Sequence, residues 1–203
     1  MRPDYCYRAQ DVLPEFPAGA CGVDEAGRGP LAGPVLAAAV ILPAGVGLEG
    51  VRDSKLLSAL QRARLASEIQ GMAVSWAIGS ASAAEIDTLN ILQATLLAMQ
   101  RAVSGLTHAP TEVWVDGLHA PSFSWLSRAV VKGDQRVVSI SAASILAKTA
   151  RDAHMIHLSD RYPGYGFEQH KGYASAAHRA ALLRKGPCPE HRRSFAPVRA
   201  LLP

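Results

Sequence analysis

The 203-residue sequence predicts a mixed α/β domain built around a central sheet. Three observations lead there. Two apolar runs, residues 20–24 and 35–42, have the length of buried strands and flank a Gly/Pro-rich loop. Three further short apolar segments then alternate with stretches of helical periodicity. A hydrophobic content of 49% against 19% charged residues is that of a globular chain, which excludes a disordered or fibrous one.

In chain order, the two first strands are followed by a helix whose start is marked by Ser58 and Gln61, the spacing of a capping box. Its inner positions are Leu65, Ile69 and Met72. A third strand is expected at 73–79, where Val74, Trp76 and Ile78 alternate with small residues. One long helix is then predicted from Ala84 to Ser104, with Leu89, Leu92, Leu96, Met99 and Val103 as its buried stripe. EVWVDG (112–117) and residues 129–131 read as short strands. From residue 139 a helix begins whose first half is mostly Ala and Ser, so its backbone should lie close against the sheet. The remainder is loops and short helices holding many basic and aromatic residues. No repeat, low-complexity tract or linker divides the chain.

The formal charge of +4 favours a polyanionic partner. Arg184, Lys185, Arg192, Arg193 and Arg199 crowd the C-terminal end and are read as an exposed basic face. Three cysteines (Cys6, Cys21, Cys188) are too few for a disulfide scaffold, which points to a reducing, cytoplasmic setting. Residues 29–48 carry no charge, but Pro30, Pro34 and Pro43 interrupt them and leave an eight-residue run, VLAAAVIL, too short for a membrane span. No membrane association is expected, and a monomer is the default.

The chemistry lies in the acids. Asp24 and Glu25 close the first core strand, Asp116 closes the VWVD run, and Asp134 follows Lys132 and Gly133. Consecutive strand residues face opposite sides of a sheet. Asp24 and Glu25 can share a site only if the strand ends there, turned by Gly27 and Gly29. Each acid taken singly is a turn or cap residue. Together, half-buried acids repel one another unless a cation neutralises them. With only oxygen ligands on offer, Mg²⁺ or Mn²⁺ is the fitting ion. Four acids around two such ions, about 4 Å apart, suit in-line displacement at phosphorus. The Gly27-Arg28-Gly29 segment beside them lets backbone N–H groups approach a phosphate or sugar hydroxyl, with Arg28 free to pair with a phosphate.

GVDEAGRGPLAGPVLAAAVIL (22–42) strongly resembles the opening motif of the type 2 ribonucleases H, bacterial ribonuclease HII. RDSKLLS (52–58), WVDG (114–117), KGD with SISAASILAKTARD (132–152), and YPGYGFEQHKGY with HRRSF (162–195) are similar to that family's later motifs, in order. The resemblance implies an RNase H-like fold over 19–203, with a mixed five-stranded sheet, a helical C-terminal region from about 160 and an N-terminal extension over 1–18. It implies an endonuclease that cuts the RNA strand of RNA–DNA hybrids and nicks 5′ of single ribonucleotides in duplex DNA, leaving 3′-hydroxyl and 5′-phosphate ends. Asp24, Glu25, Asp116 and Asp134 map onto the family's metal-binding tetrad. Gly27, Arg28 and Gly29 map onto the segment that reads the 2′-hydroxyl, and Tyr173 onto the tyrosine stacked at the RNA-to-DNA junction. Where the family often has DSKKL this chain has DSKLL, which leaves Lys55 as the phosphate contact there. Leu118 replaces the usual asparagine.

Other residues have competing readings. Lys148 and Asp152 are either an i,i+4 ion pair or substrate-side groups, Asp152 being the reserve fourth acid. His170 and Lys171 are expected to contact phosphate. His154 with His157, and Cys188 with His191, read as solvated or partly buried surface rather than metal ligands. A resolvase-like DNA nuclease on the same sheet and a non-catalytic nucleic-acid binder are the rival functions. Contact with a replication clamp has no recognisable docking motif.

Overall fold

The structure is a computed structural model and describes residues 5–48 and 57–202. Strands β1 (Tyr5–Tyr7), β2 (Cys21–Ala26), β3 (Val35–Ile41), β4 (Ser75–Ala81), β5 (Val113–Asp116) and β6 (Ser127–Val130) form one mixed sheet in the order β1-β6-β5-β2-β3-β4. β2, β3 and β4 pair antiparallel, whereas β2, β5, β6 and β1 run parallel. The helices are α1 (Ala59–Met72), α2 (Ala83–Leu89), α3 (Ile91–Ser104), α4 (Val138–Arg161), α5 (Phe167–His170), α6 (Ala176–Lys185) and α7 (Ala196–Arg199).

Strand alternation sorts the core onto two faces. Cys21, Val23, Val113 and Val115 pack with Ala94, Ala98, Met99 and Val103 of α3 on one side. Ala38 and Val40 meet Ala142, Ala143 and Leu146 of α4 on the other, with Ile69 of α1 outside them. The expected close approach of α4 is present. A Cβ on Gly22 would fall on the backbone of Ser139 and Ile140, so only glycine fits there. Among the described residues no helix is long and apolar enough to cross a membrane.

The sheet has six strands, not five. Tyr5–Tyr7 is too short to show a period, and its placement depends on partners far along the chain. Arg128 on β6 donates to the Tyr7 hydroxyl (2.8 Å) and pairs with Glu112 (2.8 Å), while Tyr7 stacks on Trp114. The single helix expected over 84–104 is two. Asn90 takes a positive φ of 71° and breaks the chain; its side chain then accepts from the N–H groups of Leu92 and Gln93 as the cap of α3. The break also rotates the stripe. Ala94, Ala98, Met99, Ala102 and Val103 are buried, Leu89 is exposed, and Leu92 and Leu96 border a surface cleft. The capping box at Ser58 and Gln61 forms as read.

Candidate active site

β2 does not end at Asp24. It stays paired with β3 through Ala26, with Asp24 opposite Ala38 and Glu25 opposite Ala37. The two acids therefore lie on opposite faces, and the turn expected between them is absent. What joins them is the neighbouring parallel strand. Val23 is in register with Val115, so the next residues along the two strands are Asp24 and Asp116. Asp24 is 6% exposed and accepts the Glu25 N–H at 2.7 Å, and the Ser144 side chain of α4 beside it favours the charged form. Burial, then the charges of Glu25 and Asp116, push its carboxyl well above the ordinary range. Glu25 is also raised: burial outweighs the lowering by Arg28, and Asp116 adds to the rise.

Asp116 organises the fourth acid. Its Oδ1 accepts the Gly133 N–H at 2.6 Å and the Asp134 N–H at 3.4 Å, holding a 3-10 turn over Gly133–Gln135 against the end of β5. The hydroxyl of Ser141 donates to the Asp134 carbonyl and ties that turn to α4. Asp134 is 6% exposed. The donor set is thus all oxygen and electrostatically strained, which fits a hard divalent cation. Among the described residues no three Asp, Glu, His or Cys side chains already form an ion cage.

Two cavities of about 320 Å³ lie on either side of Glu25. One is bordered by Gly27, Arg62, Ser144, Lys148 and Tyr173. The other is bordered by Arg28, Leu92, Asp116, Leu118 and His119. Arg28 reaches Glu25 at 3.5 Å while half its side chain stays exposed. Tyr173 is 46% exposed, and its ring edge stands 3.8 Å from where a Cβ on Gly29 would be. Gly27 has φ of +99°, and a Cβ there would overlap the Arg151 side chain. Lys148 fits both of its readings: it pairs with Asp152 at 2.7 Å and lines the cleft. Asp152 is held by Lys148 and, at 3.6 Å, by Arg62.

His170 is not an open phosphate contact. Its Nδ1 accepts the Gly172 N–H, which leaves Nε2 to donate to the Tyr165 carbonyl, so both nitrogens shape the turn before Tyr173. Lys171 donates to the Glu168 carbonyl within the same turn. Lys55 lies outside the described residues. His154 is half-buried and His157 exposed, as read.

Cys188 and His191 are a correction: both are buried. The Cys188 N–H donates to His191 Nδ1 (3.0 Å), which assigns the His191 proton to Nε2, 3.1 Å from His178 Nε2. His178 Nδ1 then donates to the Tyr173 carbonyl at 2.9 Å. Each ring is neutral in this chain of bonds. Burial, and His178 beside it, hold His191 down at about 4.

Arg192, expected on an exposed basic face, lies instead in the interior behind the Gly27-Arg28-Gly29 loop. It is 0% exposed. Its Nη2 donates to the Gly27 carbonyl (2.5 Å), Nη1 to Arg28 (2.7 Å) and Nε to Gly33 (3.0 Å). Burial and the charge of Arg151 lower its pKa to about 9. A guanidinium so placed has no local signature; the HRRSF motif was the available signal, and its charge suggested the surface.

The sequence profile of the family described as ribonuclease HII matches residues 21–198. The chain is 62% identical to the ribonuclease HII of Thiobacillus denitrificans over 186 residues, covering 92% of this chain and 91% of that one. The fold is similar to the crystal structure of the ribonuclease H2 from Pyrococcus horikoshii OT3, with a TM-score of 0.75 at 26% identity, over 90% of this chain and 96% of that one. It is also similar to RNase HII in the PCNA:RNase HII complex from Archaeoglobus fulgidus, at TM-score 0.65 and 25% identity, over 86% and 92% of the two chains.

Proposed function

This chain belongs to the ribonuclease HII family and is a ribonuclease H; on that premise we propose that it nicks duplexes on the 5′ side of a ribonucleotide, embedded singly in DNA or within an RNA–DNA hybrid. The observation that carries the reading is the meeting of Glu25, Gly27 and Tyr173 on one cleft. An acid for the phosphate, a glycine loop for the sugar and an exposed ring for the adjoining deoxyribose stand within one nucleotide's reach.

Asp24, Glu25, Asp116 and Asp134 are the residues that would hold divalent ions, Mg²⁺ or Mn²⁺. Such ions would supply Lewis-acid stabilisation of the charge that develops at phosphorus. The protein's own groups do the rest. Arg28 is exposed enough to turn from Glu25 to a phosphate oxygen. Tyr173 offers a flat face against a sugar lacking a 2′-hydroxyl, and Lys148 adds positive charge along the backbone track. Hydrolysis leaves a 3′-hydroxyl and a 5′-phosphate. The biological role is removal of misincorporated ribonucleotides and RNA primers.

The test uses an end-labelled DNA duplex with one ribonucleotide, an all-DNA control, and Mg²⁺, Mn²⁺ or chelator. A metal-dependent nick immediately 5′ of the ribonucleotide, absent from the control, is the expected result. Cleavage of both duplexes would establish a DNA nuclease instead, and binding without cleavage a non-catalytic protein.

A further inference from the structure

We propose that Arg192 is a specificity-determining positioning residue: it turns the backbone of the Gly27-Arg28-Gly29 loop so that two N–H groups face the substrate cleft. The inference rests on the reading above, in which that loop meets the ribose.

A trans peptide unit is planar, with its carbonyl and the following N–H pointing in opposite directions. The Gly27 and Arg28 carbonyls are drawn inward onto the two terminal nitrogens of one buried guanidinium. The N–H groups of Arg28 and Gly29 therefore point the other way, outward. Arg28 and Gly29 are the exposed part of the loop, and neither N–H has a hydrogen-bond acceptor among the described residues. Two aligned, unspent donors with a fixed cation behind them form a receptor for one oxygen atom, which a 2′-hydroxyl supplies and a deoxyribose does not.

The fork geometry is the reason arginine stands here. Nε, Nη1 and Nη2 lie in one plane and engage three carbonyls of the loop, Gly33 included. A lysine ammonium is a point donor and cannot hold adjacent carbonyls parallel. Arg192 is itself anchored. Its N–H donates to the Leu31 carbonyl, and Gly33 donates to Glu190, so the residues around it are stitched to the loop they support. Phe195 packs on the guanidinium, 5.1 Å from its ring centre. From α2, Asp87 accepts the Arg193 N–H (2.9 Å), the Ser194 N–H (2.8 Å) and the Ser194 hydroxyl (2.6 Å). Asp87 thereby fixes the segment immediately after Arg192 without touching the loop.

The experiment compares affinities for a duplex with one ribonucleotide and the same duplex in DNA, by fluorescence anisotropy in Mg²⁺. Full-length protein carrying Asp24→Asn serves as a non-cleaving parent. The parent should prefer the ribonucleotide duplex by about tenfold, the effect of one well-placed polar contact. Adding Arg192→Lys should bring the preference below about threefold by weakening the ribonucleotide complex alone, with all-DNA affinity unchanged. If that variant does not melt cooperatively, Asp87→Asn replaces it. Its amide would face the Arg193 N–H with a donor, and the same preference should fall by at least about twofold. A preference unchanged in the variant, or affinities that fall in parallel for both duplexes, overturns the role of Arg192 and leaves the loop's own role standing. A parent without preference overturns the reading of the loop, and this inference with it.

Discussion

Asp116 accepts a 2.6 Å hydrogen bond from the backbone N–H of Gly133, so the third acid fixes the turn that presents the fourth. One carboxylate oxygen is thereby spent on positioning. A Cβ on Gly133 would crowd the Ile140 Cδ1 atom at 2.7 Å and the Asp116 Oδ1 atom at 3.3 Å.

Gly133→Ala should therefore shift the turn by a few tenths of an ångström. We expect kcat to fall by about tenfold to a hundredfold with KM for the duplex little changed, because misplacement acts on the chemistry rather than on binding. Steady-state kinetics on the ribonucleotide duplex checks this. A fall in kcat/KM arising from KM alone would contradict it.

Asp24→Asn should abolish cleavage, by at least about a thousandfold, while duplex binding persists. Asp24 is also a buried carboxyl pushed up by its neighbours. Without divalent metal the variant should melt at or above the wild-type temperature, since a repelled buried charge is removed. Mg²⁺ or Mn²⁺ at a hundredfold excess over its dissociation constant should stabilise the wild type by about 2.7 kcal/mol and the variant by much less. Thermal melts with metal and with chelator read both effects.

Gly27→Ala and Gly29→Ala should separate packing from recognition. At Gly27 the Cβ overlaps Arg151 and φ is +99°, so the variant should lose several kcal/mol, on the order of 3 or more, in urea unfolding. At Gly29 the nearest atom is 3.8 Å away. That variant should keep the wild-type midpoint yet lose cleavage, because the methyl group occupies the approach of the sugar.

His191 should make the fold acid-sensitive. Its folded pKa is about 4 against 6.5 in a free histidine. As pH falls below 6.5 the unfolded chain takes up this proton and the folded chain does not, so stability is full above 6.5 and is lost toward 4. The loss from this residue is up to about 3 kcal/mol. His191→Gln should lower stability at pH 7 and flatten the slope between pH 6.5 and 4. An unchanged slope in urea titrations would sink the assignment. Because His178 lies between His191 and the Tyr173 carbonyl, duplex affinity should fall over the same window.

Strands β2 to β6, most helices and the placing of the acids beside strand ends and glycines were legible in the sequence because their signals are local. A period of two or 3.6 residues, a Ser-to-Gln capping box and a carboxylate after an apolar run each lie within a few neighbours. The motifs GVDEAGRG, VDG and KGD added the family. The break at Asn90 was partly local as well, but the apolar residues at helical spacing on both sides of it point to one continuous helix.

Tertiary structure alone decided how those parts meet. Asp24 and Glu25 fall on opposite faces because β2 runs straight through them, and the parallel register with β5 puts Asp116 beside Asp24. Tyr5–Tyr7 becomes a strand because Arg128, more than a hundred residues away, holds it. Arg192 turns inward because three carbonyls 159 to 165 residues earlier in the chain take their hydrogen bonds from its guanidinium. A sequence records the charge of an arginine; which buried oxygens require it is settled only when distant segments are packed together.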